Sequence, residues 1–199
     1  ILAYEAQWNA TLRSEQPAVV AKLVAEQLQT KRAKRVGVDA SLVTSQLPLT
    51  YDAKFESIDP VLWQMRRAKD PDELALMKQA IRCSEAMYAR ARQIIAPGIT
   101  ELKVFGELHL AAVETAGETL SALLGNDFQC GSIGGPPRSG RGALAGELYI
   151  LDLGPCYRGY FADNARTISV DRRPTDMQMQ AWHTVMQVFK IVEGMAKPG

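Results

Sequence analysis

The sequence has little excess charge, and this scarcity excludes some classes of partner. Its 23 lysine and arginine residues nearly balance 22 aspartate and glutamate residues, which leaves a net charge of +1. A chain so close to neutrality has no strong field to attract nucleic acid or an acidic membrane surface. One basic run, at residues 31–35, admits two interpretations: a phosphate-binding or localisation patch, or the solvated end of a helix. The helix end is the simpler of the two.

Cysteines and long apolar runs are also scarce. The three cysteines, Cys83, Cys130 and Cys156, have spacings that match no zinc or redox motif. They favour reduced thiols in an intracellular protein, and we expect a cytoplasmic location. No stretch of about 18 consecutive apolar residues is present, so the sequence predicts no membrane-spanning helix. Cys83 falls within an amphipathic helical pattern and is expected in the core.

The first third of the chain alternates between helical and extended patterns. Apolar spacing predicts a helix over 17–30, a strand over 35–39, a brief helix over 41–46 and a strand over 53–58. Such alternation is typical of a small α/β domain, but these elements are too few to close one. Asp59-Pro60 then predicts a break in the chain.

The rest of the chain has long helices separated by extended segments. Asp70 is a candidate N-cap, Pro71 occupies the first helical position and Glu73 completes a capping box, so a helix is expected to about residue 95. Pro97-Gly98 ends that helix, and Thr100 begins a second one. The later elements are strands over 127–133, 148–153 and 160–170 and a helix from residue 175.

Two aspartates stand on the arms of a predicted hairpin. If the turn centres on residues 157–158, Asp152 lies directly opposite Asp163, with Cβ atoms about 4.5–5.5 Å apart on one face. Two carboxylates so close repel unless they share a proton or hold a divalent cation such as Mn²⁺ or Zn²⁺. The apolar residues around Asp152 predict burial on both faces of its strand. Structural roles stay open, with Asp152 capping a turn before Gly154 and Asp163 bonding local backbone.

The residues around both aspartates carry a family resemblance. Residues 151–154 and 159–167 resemble the D-x-G … G-Y-x-x-D-x-x-R-T signature of the creatinase, aminopeptidase P and Xaa-Pro dipeptidase (prolidase) family, the "pita-bread" metallopeptidases. Three further stretches are similar to family motifs that precede this signature: residues 66–73, 97–101 and 145–147. The resemblance therefore extends over most of the chain.

The resemblance implies a fold, a cofactor and an activity. The implied fold class is α+β. Residues 63–199 are expected to form the first half of a pita-bread catalytic domain, and residues 1–62 the tail of an α/β N-terminal domain, in a chain truncated at both ends. Asp152 and Asp163 become the first two ligands of a site for two divalent ions, Mn, Zn or Co. The implied function is a metal-dependent exopeptidase of the Xaa-Pro aminopeptidase or dipeptidase type. Its implied partner is a peptide substrate. Because a chain that exposes half a fold needs a partner, we also expect association with its missing half or with another copy of the chain. Arg166 and Thr167 are expected to be architectural.

The chain also departs from the family pattern. The family completes its metal site with one histidine and two glutamates from the second half of the fold. The two histidines here, His109 and His183, fall on predicted helices and match none of these ligands. The loop Gly134–Arg138 lacks the histidine that many members carry on the substrate side, so the substrate-binding residues stay unassigned. We therefore expect no catalytic residue within these 199 residues and an incomplete site, so that the chain alone is inactive.

Two alternatives to the peptidase remain open. A non-catalytic peptide-binding relative is favoured by the loop without histidine, and a metal-free creatinase-like enzyme would hydrolyse a C–N bond in a small amidine. The presence of both aspartates argues against each of these alternatives, because a metal-free relative has no reason to keep two facing carboxylates. Methionine aminopeptidases rank lower, since they usually lack the preceding α/β domain.

Overall fold

The computed structural model describes residues 16–39, 46–122 and 127–198. The chain divides into two compact units, one up to Lys69 and one from Asp70. Most of the helix predicted over 41–46 lies outside the described residues. No helix in the described ranges combines the length and hydropathy needed to cross a bilayer.

The first unit pairs helices with a two-stranded parallel sheet. Its elements are α1 (Gln16–Thr30), β1 (Arg35–Val38), α2 (Gln46–Thr50), β2 (Lys54–Ser57) and α3 (Asp59–Met65). The small side chains of Ala21 and Ala25, one helical turn apart on α1, are buried with Leu47 of α2. The Tyr51 hydroxyl donates to the Ala33 carbonyl at 2.7 Å and ties α2 to the end of α1.

The break predicted at Asp59-Pro60 falls between two elements, since β2 ends at Ser57 and α3 begins at Asp59. Pro60 lies in the first turn of this helix, where a missing N–H removes no helical hydrogen bond and the fixed φ suits the helix.

The second unit begins with two long helices, α4 (Pro71–Ile94) and α5 (Glu101–Ala116). The Asp70 N–H donates to the Glu73 carboxylate at 2.8 Å, and the Thr100 hydroxyl accepts from the Lys103 N–H at 3.2 Å. Gly117, with φ +69°, ends α5 in the left-handed conformation that glycine adopts without strain. Cys83 is fully buried on α4, which confirms its expected place in the core.

Strands and a last helix complete this unit. They are β3 (Phe128–Cys130), β4 (Leu148–Leu153), β5 (Cys156–Tyr157), β6 (Tyr160–Phe161), β7 (Asn164–Ser169) and α6 (Asp176–Met195). Antiparallel pairing gives a three-stranded sheet in the order β3-β4-β7 and a separate β5–β6 hairpin. Three strand residues, Tyr149, Leu151 and Leu153, are fully buried against the core of α4 and α5.

The opposite face of β4 is only half-buried, so the prediction that Asp152 is buried on both sides of its strand is wrong. Alternation along β4 explains this, because Leu148, Ile150 and Asp152 point away from the helices. Helices and an antiparallel sheet kept in separate layers make this unit α+β, as expected.

Candidate metal centre

The strand register differs from the predicted one by two residues. Asp152 pairs with Ala165, and Leu153 pairs with Asn164, so Asp152 does not lie directly opposite Asp163. The turn centres on Arg158 and Gly159, whose φ angles of +48° and +88° match the tight hairpin turn that needs two left-handed residues. The predicted centre at residues 157–158 is one position too early, which shifts every pair by two.

The aspartate carboxyls nevertheless meet. Asp163 lies at the junction between β6 and β7, next to the pair Leu153–Asn164. A hydrogen bond joins its side chain to that of Asp152. Because side chains alternate along β7, Asp163 faces the same side as Ala165, and so the same side as Asp152. Asp152 and Asp163 are therefore diagonal neighbours across the two strands rather than directly opposite each other.

A third carboxylate borders this pair. The N–H of Asp127 donates to the Asp152 carbonyl at 3.2 Å, and the N–H of Asp152 donates back at 3.1 Å. This reciprocal pairing places the two residues opposite each other on one face. Burial raises the pKa of the Asp152 carboxyl, and the charge of Asp163, the charge of Asp127 and the hydrogen bond with Asp163 raise it further. The site is thus rich in negative charge.

The β5–β6 hairpin that leads to Asp163 is anchored at two points. The Tyr160 hydroxyl donates to the Glu73 carboxylate on α4 at 2.7 Å. The Arg158 guanidinium makes two parallel hydrogen bonds of 2.7 Å to the Glu118 carboxylate, a bidentate geometry that fixes direction as well as distance. The hairpin therefore approaches the sheet along a defined path.

A buried charge holds the glycine-rich loop beside the site. The carboxylate of Glu101 is fully buried and accepts from the Arg138 N–H at 2.7 Å, the Arg138 guanidinium at 2.6 Å and the Cys130 N–H at 2.9 Å. Burial raises the pKa of Glu101, but these bonds outweigh it and lower the pKa to about 2. Burial, the bond to Glu101 and its charge raise the pKa of the Cys130 thiol to about 11, so this thiol stays protonated.

The same loop passes close to Asp127. A Cβ added to Gly134 would lie 2.2 Å from Oδ2 of Asp127, so only glycine permits this approach without moving the carboxylate. The Phe128 N–H donates to the Gly135 carbonyl at 2.8 Å, and the Gln129 amide donates to the Pro136 carbonyl at 2.7 Å. The segment expected to face the substrate thus runs along β3, next to the acidic face.

The donor set fits part of a divalent metal site. Two touching carboxylates, one with a raised pKa, supply the oxygen ligands that Mn²⁺, Zn²⁺ or Co²⁺ accept and the repulsion that a cation relieves. Over the described ranges, no group of three or more histidine, cysteine or acidic side chains is arranged to hold a metal ion. His109 and His183 lie on α5 and α6, as the sequence predicted. Asp152 and Asp163 therefore remain predicted ligands.

Several residues that shape the site escaped the sequence prediction. Asp127 was treated only as the start of a strand, and Glu101, Arg138 and Tyr88 were given no role. For Asp127 a signal existed, because the alternation along β3 and β4 fixes their register. For the other three the decisive contacts join residues 29 or more positions apart, and no local pattern reports them.

Comparison with known proteins yields one family and a consistent set of relatives. The pattern of metallopeptidase family M24 matches residues 75–199. The Xaa-Pro aminopeptidase of Escherichia coli is 26% identical over 167 residues, which cover 78% of this chain and 35% of the relative. The Xaa-Pro dipeptidase of Pyrococcus horikoshii is 24% identical over 172 residues, covering 83% of this chain and 48% of that protein. The chain thus spans between a third and a half of these relatives.

Solved structures give the same fold. The X-Pro aminopeptidase of Thermotoga maritima superposes with a TM-score of 0.71 at 22% identity, over 84% of this chain and 49% of that one. Escherichia coli aminopeptidase P in complex with substrate superposes with a TM-score of 0.73 at 20% identity, over 94% of this chain and 45% of that one. These likenesses confirm the α+β pita-bread fold class. With the family pattern matched across most of the second unit, the chain belongs to metallopeptidase family M24.

Proposed function

We propose that the protein containing this chain is a metal-dependent exopeptidase of the Xaa-Pro aminopeptidase or dipeptidase type. The observation that carries the proposal is the contact between the Asp152 and Asp163 carboxyls on one sheet of a family M24 chain. The relatives named above act, by their names, on Xaa-Pro substrates. Because the chain spans at most about half of them, the activity is proposed for the whole protein, whose remaining ligands are expected to be one histidine and two glutamates.

The chain contributes ligands and their placement. Asp152 stands on β4, a strand held by backbone bonds on both sides, and Asp163 follows the anchored β5–β6 hairpin. Divalent ions bound by such carboxylates supply Lewis acidity, which activates water and polarises a peptide carbonyl. Since the pKa of Asp152 is raised, a proton competes with the cation at this carboxyl, and metal affinity is expected to fall as the pH falls.

Metal binding tests the proposal directly. The metal-free protein would be titrated with Mn²⁺, Zn²⁺ and Co²⁺ by calorimetry, and bound metal counted by elemental mass spectrometry. We expect saturable uptake that Asp152→Asn and Asp163→Asn abolish. Asp176→Asn, which removes an acidic side chain in the first turn of α6, leaves uptake unchanged. No uptake by the wild-type protein, or uptake that survives both site substitutions, contradicts the proposal.

Activity supplies the second test. Metal-loaded whole protein is expected to hydrolyse peptides with proline at the second position and to lose this activity in chelator. The 199-residue chain alone is expected to be inactive, because two ligands cannot complete a dinuclear site. Peptide hydrolysis by the pure chain, lost in Asp163→Asn, would show that expectation to be wrong. A cytoplasmic location and self-association also stay predictions.

One observation favours a second candidate, a non-catalytic peptide-binding relative. The loop Gly134–Arg138 contains no histidine on the expected substrate side. Such a protein would bind Xaa-Pro peptides without taking up metal. Peptide binding that is insensitive to chelator, combined with the absence of hydrolysis by the whole protein, favours this candidate over the peptidase.

A further inference from the structure

One buried hydroxyl touches the backbone on both sides of the aspartate pair. Tyr88 of α4 is 7% exposed, and its hydroxyl lies within hydrogen-bonding distance of the Leu151 carbonyl, at 3.3 Å, and of the Asn164 carbonyl. These two carbonyls belong to the residue before Asp152 and to the residue after Asp163.

The strands begin to part at this point. Leu153 and Asn164 form the last pair of the β4–β7 ladder, and Asp163 lies just beyond it. A ligand beyond the ladder has no further backbone pairing to fix its distance from Asp152. The Tyr88 hydroxyl shares its one proton between the Leu151 carbonyl on β4 and the Asn164 carbonyl on β7, and so links the two strands near that end.

The contact joins distant parts of the chain through a rigid element. Tyr88 is 63 residues from Leu151 and 76 from Asn164. Neighbouring core residues Met87 and Ala91 on α4 are fully buried, so the ring has little freedom to move away. Its contacts with the carbonyls of Leu151 and Asn164, the residues next to Asp152 and Asp163, place the hydroxyl behind the pair.

We infer that Tyr88 is a positioning residue that sets the separation of the Asp152 and Asp163 carboxyls for a divalent cation. The inference rests on the proposed metal site. Tyr88 acts from the core side of the sheet, through the backbone, and does not itself bind the ion. Outer partners of this kind typically change metal affinity by about 10–100-fold when removed. For a contact that acts through the backbone, the lower end of this range is expected.

The test uses Tyr88→Phe with a matched control. Tyr149→Phe removes another buried hydroxyl, on strand β4, where it donates to the Phe128 carbonyl at 3.1 Å. Mn²⁺ affinity of the full chain would be measured by calorimetry, the Co²⁺ absorption spectrum recorded, and stability followed by urea unfolding. We expect both variants to lose similar stability, but only Tyr88→Phe to weaken Mn²⁺ binding, by about tenfold, and to alter the spectrum.

The outcomes separate this inference from the proposed function. Mn²⁺ affinity of Tyr88→Phe within twofold of wild type, or equal losses in both tyrosine variants, overturns the inference and leaves the metal site standing. If the wild-type protein binds no metal, the proposed function fails, and amide hydrogen exchange of the metal-free protein decides the inference. Exchange at Leu153 that is about tenfold faster in Tyr88→Phe alone supports the positioning role. Unchanged or equally faster exchange in both variants refutes it.

Discussion

The buried carboxylate of Glu101 allows a sharp prediction, because its pKa and its partners are both defined. The substitution Glu101→Gln keeps the shape of the side chain and removes its charge. In the folded protein the pKa of Glu101 is lowered from 4.5 to about 2 by bonds from Arg138 and Cys130 that outweigh burial. At about 1.4 kcal/mol for each pH unit between these values, the carboxylate contributes about 3 kcal/mol to the unfolding free energy.

Exposure to solvent lowers this contribution to the unfolding free energy. The Arg138 side chain is 45% exposed, whereas Glu101 is fully buried, so water screens one side of the pair. We expect Glu101→Gln to lose about 2–3 kcal/mol at pH 7, measured by urea unfolding followed by circular dichroism. Because the folded pKa is depressed, this contribution is complete above pH 4.5 and is lost as the pH falls through about 2. The difference between variant and wild type should therefore shrink over that range.

Glu107 provides the matched control on the same helix. Its pKa is also lowered to about 2, by Lys103 and Arg90, but the Glu107 side chain is itself 16% exposed, whereas that of Glu101 is fully buried. Solvent screens such a pair, so Glu107→Gln should lose clearly less stability than Glu101→Gln. Equal losses from the two substitutions, or a loss for Glu101→Gln that does not change between pH 7 and pH 3, would refute this reasoning.

Three further predictions concern single side chains. Gly106→Ala should raise the unfolding free energy, measured in urea, by about 1 kcal/mol, because Gly106 lies inside α5 with nothing within 4 Å of an added Cβ. A lower unfolding free energy in the variant would contradict this prediction. Asp152→Asn should stabilise the metal-free protein at pH 7: the raised pKa of Asp152 means that folding takes up a proton, so wild-type stability falls as the pH rises through that pKa. Thermal unfolding in chelator checks this, and a less stable variant contradicts it. Tyr160→Phe should lose about 1 kcal/mol of unfolding free energy in urea, because it removes the bond to Glu73 at 2.7 Å. Glu73→Gln should lose at least as much, because glutamine has one acceptor oxygen for the two donors, the Tyr160 hydroxyl and the Asp70 N–H, that the Glu73 carboxylate accepts.

Local signals in the sequence determined the helices well. Asp70, Pro71 and Glu73 begin α4, and Thr100 and Thr175 cap the next two helices, because a capping side chain needs only the backbone three residues away. The signature around Asp152 and Asp163 determined the family, since several fixed positions are spaced within one hairpin. Each of these signals lies within a few residues of the feature it specifies.

The register of the hairpin shows where local reading fails. The sequence placed the turn at residues 157–158, but Gly159 is the residue that accepts the second left-handed position of the tight turn. Reading Arg158-Gly159 as the two turn residues gives the observed pairing of Asp152 with Ala165. The sequence therefore contained the signal for the correct turn, but placing the turn one position too early shifted every predicted strand pair by two residues.

Only the tertiary structure brought together the residues around the acidic pair. Asp127 lies beside Asp152 because β3 and β4 pair. Glu101 accepts a hydrogen bond from Arg138, 37 residues later, and the Tyr88 hydroxyl contacts the Asn164 carbonyl, 76 residues later. Each contact depends on how α4, α5 and the sheet pack, and packing follows from the whole buried surface rather than from spacing in the chain. The sequence by itself therefore determined the long helices, the family and the two candidate ligands, and the packing decided what surrounds and positions them.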